Sequence, residues 1–227
     1  MDTGLEQGVF TKSGRLLVAN PIIIVPGLVI GAAAAILDAV LEPKPDSLGG
    51  SFPLVVLLGV IKVLSTILAV AYTTGMADAA WRTAKATIAD GSSAFRRDAG
   101  HVFVAMIVLF AAGIIAALLA PLTAGCSFIV LIYFLIYTMP AAVVGDRPGL
   151  LAVRESIEIA IARPATTILV VAAITIIAVG MSVLAEALAG APFIGPLVAA
   201  VVLQAAVVYL TLVIVGEYRA LKRPREQ

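Results

Sequence analysis

The sequence predicts an all-α fold, a polytopic integral membrane protein with six transmembrane helices, interfacial amphipathic elbow helices and a threefold elbow-hairpin repeat, all within one domain spanning 1–227. Three observations predict it. Six apolar stretches, Pro21–Leu41, Phe52–Thr74, Val102–Leu122, Cys126–Val144, Thr166–Leu188 and Phe193–Val215, recur along the chain. Each approaches the roughly 20 residues that a helix needs to cross the ~30 Å hydrocarbon core of a bilayer. The composition, 62% hydrophobic and 13% charged, is far more apolar than that of a soluble domain. The mean hydropathy is +1.12. Finally, the basic residues are confined almost wholly to alternate connectors.

The first span follows Lys12 and Arg15 and runs on to Leu41. That is longer than the roughly 7–15-residue core of a signal peptide, so it is expected to be retained. Glu42–Ser51 leads into the second span, Thr123–Gly125 joins the third and fourth, and Ala189–Pro192 joins the fifth and sixth. Lysine and arginine set the orientation. Lys12, Arg15, Arg82, Lys85, Arg96, Arg97, Arg147, Arg154, Arg163, Arg219, Lys222, Arg223 and Arg225 make thirteen on one side, against Lys44 on the other. Both termini are therefore expected in the cytoplasm of a prokaryotic cell, with three helical hairpins reaching outward through the cell membrane.

The cytoplasmic connectors, about 5–20, 76–100 and 149–163, read as elbow helices lying in the headgroup plane. Met76–Ala89 sets Asp78 and Arg82 at i,i+4 beside Trp81, which suits that depth. Ser92 or Ser93 offers an N-cap for a further start after Asp90-Gly91. In Gly149–Ala162, Leu150, Val153, Ile157 and Ile161 form an apolar stripe opposite Arg154, Glu155 and Glu158, and Pro164 ends the helix. The run from Ser13 to Asn20-Pro21 parallels that from Ser156 to Arg163-Pro164. Gly91-x-x-Ala94-x-Arg96 likewise parallels Gly149-x-x-Ala152-x-Arg154. Three units of the same orientation are read, each an elbow followed by a hairpin, unlike the inverted repeats of many transporters.

The segment Tyr137-Thr-Met-Pro-Ala-Ala-Val-Val-Gly-Asp146, leading into Gly149-Leu-Leu-Ala-Val-Arg-Glu-Ser156, resembles a recurring element of one family. This is a prokaryotic membrane-protein family similar to the membrane domain of glycerophosphodiester phosphodiesterases. Gly75-Met-Ala-Asp-Ala-Ala-Trp81 through Ala94-Phe-Arg-Arg97 fits the same layout. The resemblance implies a fold and not an activity, since the namesake's chemistry belongs to a separate soluble domain. The lone His101 could not supply paired histidines in any case.

Lys62 is the residue most out of place. It lies about ten residues into the second span, near the bilayer midplane at ~1.5 Å per residue. A charge there costs about 2.5–3.5 kcal/mol on insertion scales. Asp38 and Glu186 lie about one turn inside the ends of the first and fifth spans, and side chains lean toward helix N-termini, so the three groups converge in depth. Pairing of Lys62 with either carboxylate could serve a polar ligand site, a proton-coupled step, or structure alone; a snorkelling neutral lysine is the remaining alternative. Gln204, deep in the sixth span, is a candidate for the same site or for helix–helix hydrogen bonding. Gly27-x-x-x-Gly31 offers a close-packing face to a helix of this chain or to a second copy. Tyr133 and Tyr137 share one packed face, Pro26 bends the first span or opens it as part of a site, Cys126 is a structural or lipid-facing thiol, and His101 is solvated. The basic tail, Arg219 to Arg225, attracts anionic headgroups.

No catalytic constellation, metal-ligand set or cofactor motif is present in the sequence, so neither an enzyme nor a cofactor is expected. A net charge of +1 gives no attraction to nucleic acid. Two readings stand. One is a non-enzymatic scaffold or lipid- and partner-interacting bundle whose cytoplasmic elbows meet membrane lipids and a partner protein, with a homo-oligomer as a further option. The other is a small transporter or channel with an intramembrane polar site around Lys62, Asp38, Glu186 and Gln204.

Overall fold

Helix is the only regular element among the described residues of the computed structural model, which are 3–41, 48–97, 99–188 and 194–222. Within them, the side chains of 3–7, 34–35, 37–41, 48–55, 181–182, 185, 188 and 194–197 lie outside the description. The helices are α1 (Thr3–Ala19), α2 (Val25–Leu41), α3 (Leu48–Thr83), α4 (Ile88–Arg97), α5 (Ala99–Thr123), α6 (Cys126–Leu135), α7 (Thr138–Val143), α8 (Gly149–Ala162), α9 (Pro164–Leu188) and α10 (Ile194–Lys222). By length and composition, four segments can cross a membrane: Val56–Thr83, Ala99–Thr123, Cys126–Val143 and Val198–Lys222. The number rises to six if each of two sharply bent helix pairs supplies one span. The expected links Glu42–Ser51, in its 42–47 part, and Ala189–Pro192 lie outside the described residues, as do Arg223 and Arg225.

The bends have one cause. A residue that precedes proline is pushed out of helical geometry. Asn20 (φ −133°, ψ 63°) and Arg163 (φ −130°, ψ 59°) take up nearly the same conformation before Pro21 and Pro164. Each still donates its N–H one turn back, to the Leu16 carbonyl at 3.0 Å and the Ile159 carbonyl at 2.9 Å. The chain then leaves at 91° after α1 and at 105° after α8. Pro21 opens a single 3-10 turn, Pro21–Ile24. Pro26 falls in the first turn of α2, where no N–H is needed, so it starts that helix rather than bending a span.

Two expected boundaries shift. Met76–Thr83 does not form a separate elbow but prolongs α3, since Ala77, Ala79 and Ala80 favour helix and no breaker intervenes. The second connector therefore holds only α4, which starts at Ile88. Its cap is Thr87, not Ser92 or Ser93. The Asp90 N–H donates to Thr87 Oγ1 at 3.3 Å, and the Thr87 N–H donates to Asp90 Oδ2 at 2.7 Å, a reciprocal capping box. Ser92 and Ser93 instead donate back to the carbonyls of Ala89 and Asp90. The fourth expected span also breaks, at Tyr137, where Pro140 has no N–H to give the carbonyl one turn back. Ser156 of α8 bridges the gap. Its hydroxyl accepts the Tyr137 N–H at 3.0 Å and donates to the Phe134 carbonyl at 2.7 Å.

The buried core gathers at one end of the bundle. It comprises Ala69–Ala80 of α3, Val102–Met106 of α5, α7, the Ala152, Ser156 and Ala160 face of α8, and Val208–Tyr218 of α10. Elsewhere large apolar side chains such as Leu118, Leu122, Ile176 and Val183 are exposed. On α8, Leu150 and Ile161 of the apolar stripe are exposed, and the face packed on the rest of the molecule is made of the small residues Gly149, Ala152, Ser156 and Ala160. Glu155 accordingly points into the molecule, whereas Glu158 is exposed.

Three short helices lie against long ones: α1 on α10, α4 on α3, and α8 on α5, α6 and α7. A tyrosine ties each pair. Tyr72 donates to the Ile88 carbonyl at 3.0 Å, Tyr133 to Ala160 at 3.0 Å, and Tyr209 to Phe10 at 3.4 Å. Trp81 joins α3 to α10 through Nε1, which donates to the Leu212 carbonyl at 2.8 Å. Its ring fills the space where any side chain at Gly216 would stand, and the Lys12 ammonium lies 4.5 Å from the ring centroid.

Asn20 is the most heavily used side chain at these junctions. Its Nδ2 donates to the Leu16 and Ala84 carbonyls at 3.0 and 3.1 Å, and its Oδ1 accepts the Ala86 N–H at 2.8 Å. An Asn20→Ala substitution strands the buried Ala86 N–H and takes a donor from the Ala84 carbonyl, while the Leu16 carbonyl keeps the backbone N–H, and should lower the unfolding free energy by about 1–3 kcal/mol. Equilibrium unfolding in detergent micelles measures this; a change below about 0.5 kcal/mol would mean that water takes over all three bonds.

Candidate functional site

Of the residues predicted for an intramembrane polar site, Gln204, Lys62 and Glu186 have described side chains. Gln204 of α10 rests on α2: its Oε1 fills the space above Gly27, and Gly31 leaves room for its Nε2. The Gly27-x-x-x-Gly31 face thus receives a helix of the same chain. Lys62 is half-buried in α3, and Glu186 is exposed on α9. The main partners of α9 are α6, α8 and α10, whereas those of α3 are α2, α4, α5, α7 and α10. Asp38 belongs to α2, but its side chain lies outside the described residues, and with it the expected pairing with Lys62.

A cluster of charged side chains lies at the densely packed end. A cavity of about 500 Å³ opens there, lined by Asp78 and Arg82 of α3, Arg97 of α4, Val144 and Gly145 after α7, and Tyr218, Arg219 and Lys222 of α10. The carboxylate of Asp78 is 12% exposed and is held by two guanidiniums. Arg82 reaches Oδ2 at 3.0 Å, one helical turn on, and Arg219 pairs with the other oxygen. Behind the wall, Glu155 is held the same way. Lys222 Nζ lies 2.6 Å from Oε1, Arg147 Nε lies 2.9 Å from Oε2, and the Tyr218 hydroxyl donates to Oε1 at 2.8 Å. Arg97 donates to the Val143 carbonyl at 3.3 Å. Gly145 is required here: a Cβ would fall on the Tyr218 hydroxyl and 2.7 Å from the Ala141 carbonyl.

Among the described residues, Asp78 and Glu155 are each held by two cations, Arg82 with Arg219 and Arg147 with Lys222, and Arg97 also lines the cavity. The neighbouring Asp146 lies 3.7 Å from His101 Nδ1. Such an arrangement can hold an anion by charge-assisted hydrogen bonds. The lining holds no serine, cysteine or histidine that could act as a nucleophile or base. Among the described residues no group of three or more His, Cys, Asp or Glu side chains could hold a metal ion.

Arg219 and Lys222 are expected from the sequence as part of a basic tail that attracts anionic headgroups and marks topology. Instead α10 runs on to Lys222 and delivers both into the cavity. The sequence signal was Asp78, a carboxylate set among the small apolar residues of Gly75–Trp81 at the end of a span. A charge in such a place requires partners.

Burial pushes the Glu155 carboxyl up. Hydrogen bonds from Lys222 and Tyr218, with the charges of Lys222 and Arg147, outweigh this and leave it below its ordinary value of 4.5. A carboxyl depressed in the folded state contributes its full stabilisation above 4.5 and loses it as pH falls through the folded value. Glu155→Gln should therefore be less stable than the parent near neutral pH, yet lose less stability on acidification. Melting curves in detergent from about pH 7 to about pH 3.5 test this; parallel curves for the two proteins would remove Glu155 from the linkage.

Comparison with protein-family models, with curated proteins and with solved structures yields no match, so no relative's chemistry bears on this cavity.

Proposed function

We propose that the chain is a non-enzymatic integral membrane protein: a six-span bundle in a prokaryotic cell membrane that engages lipids, and a partner protein, through its cytoplasmic elbows. The observation that carries this reading is the division of the molecule. One end is closely packed and laced with paired charges, while the long helices beyond it bear exposed Leu, Ile, Val and Phe side chains. In water such faces would draw copies together; in a bilayer they are at rest. The helices α1, α4 and α8 are the elbows in this reading, with exposed Val18, Ile88, Leu150 and Ile161 set into the leaflet.

Two features support the threefold repeat. The breaks at Asn20-Pro21 and Arg163-Pro164 share one backbone conformation. Tyr72, Tyr133 and Tyr209 each run from the second span of one unit to a carbonyl of the next unit's elbow, with Tyr209 closing the ring onto α1. The same layout favours the likeness to the membrane domain of glycerophosphodiester phosphodiesterases as a matter of fold. Transport through a site at Lys62 draws less support, because Gln204 is taken up by Gly27 and Glu186 faces outward.

The single cysteine, Cys126, is exposed just after the α5–α6 turn and serves as a topology probe. With both termini in the cytoplasm, Cys126 should react with a membrane-impermeant maleimide in intact cells. Asp146→Cys in a Cys126→Ser background should react only after permeabilisation. The reverse pattern would invert the topology, and release of the chain by alkaline carbonate would end the membrane reading.

A further inference from the structure

We propose that the cavity at the charged end binds a phosphate-bearing anion, either the phosphate of a lipid headgroup or free phosphate. The inference deepens the lipid-engaging reading above and rests on it insofar as the charged end faces the headgroups. Its basis is an imbalance. If the network only clamped α3, α8 and α10 together, each carboxylate would need one cation. Asp78 already has two, Arg82 and Arg219, and Glu155 has two more, Lys222 and Arg147. Arg97 of α4 also lines the cavity.

The like charges that line the cavity repel one another, and water at the mouth screens them only in part. A bound dianion removes that repulsion. The carboxylates fit this picture as positioning groups: Asp78 fixes Arg82 and Arg219, so their remaining N–H groups are already oriented when a ligand arrives. Guanidinium forks match the oxygens of a tetrahedral phosphate better than an ammonium does, and three of the four cations in the lining are arginines. The volume, about 500 Å³, falls in the range of small-molecule sites and exceeds what a lone phosphate fills. Val144 and Gly145 supply an uncharged wall for whatever the phosphate carries.

The test uses the purified full chain. In neutral detergent, binding of inorganic phosphate is followed by calorimetry. In nanodiscs of phosphatidylcholine with or without phosphatidic acid, lipid retention is followed by native mass spectrometry; the choline cation of the host lipid masks its own phosphate. Arg97→Gln and Lys222→Gln each remove one cation, the first leaving both carboxylate clusters intact. Loss of one charge-assisted contact should weaken binding about tenfold.

Saturable binding of inorganic phosphate that weakens in Arg97→Gln and Lys222→Gln supports the site and names free phosphate as its ligand. Retention of phosphatidic acid alone, lost in the same variants, supports it and names the headgroup. Parent protein that takes up neither, or variants that bind as well as the parent, overturns the proposal. Carbonate extraction of the same preparations separates the two readings. A chain that stays in the membrane yet binds neither anion loses only the site, whereas an extracted parent loses the membrane reading itself.

Discussion

A backbone N–H or carbonyl that loses its helical partner in apolar surroundings must find another, because no water is at hand to replace it. Most of the order at the packed end of this bundle follows from that need. The chain breaks at Asn20, at Tyr137 and at Arg163, and each break sheds main-chain groups. Asn20 answers at the first with three hydrogen bonds that also fix the turn between α3 and α4. Ser156 answers at the second, from α8, by accepting from one side of the gap and donating to the other. Arg97, Trp81 and the three junction tyrosines likewise donate to carbonyls on other elements. Polar side chains here are placed by the backbone's requirements before any ligand is considered.

The charged residues obey a related rule. Asp78 and Glu155 are largely buried, and a buried carboxylate without partners is strongly destabilising. Their cations come from far along the chain: Asp78 and Arg219 are 141 residues apart. The continuous α10, which brings Arg219 and Lys222 to the level of α3 and α8, is therefore a condition for both carboxylates. In return the paired charges hold the end of α10 in place, which is why its last two turns stay helical instead of trailing as a tail.

How much of this was legible follows from the range of each interaction. The all-helical class was read from the length and polarity of the apolar runs. The two sharp bends were visible because a proline acts on its immediate neighbour. The α3–α4 boundary was not: the span was expected to end at Thr74, yet the alanines beyond carry the helix on to Thr83, and Thr87 with Asp90 forms the cap that Ser92 and Ser93 suggested. On α8 the larger apolar residues marked only the face left for the surroundings, and the close helix contact is made by small residues that carry little pattern. That small-residue face hid Glu155. The cavity could not be read from local pattern at all, since its lining comes from α3, α4, α10 and the turn after α7.

One consequence concerns the basic residues themselves. Arginine and lysine near span ends are ordinarily explained by insertion alone, as charges that remain on the cytoplasmic side. Insertion constrains only the number and side of such charges, so a residue kept for that reason tolerates exposure and needs no fixed partner. Arg96, beyond the cavity lining and exposed, fits that description. Arg219 and Lys222 do not: the first is 26% exposed, and both lie against a particular carboxylate. Moving either charge by one residue would turn it about 100° around α10, away from its partner, while leaving the charge count of the segment unchanged. Topology and architecture thus make different demands on the same residues. At this end of the molecule position, not count, is what the fold has specified.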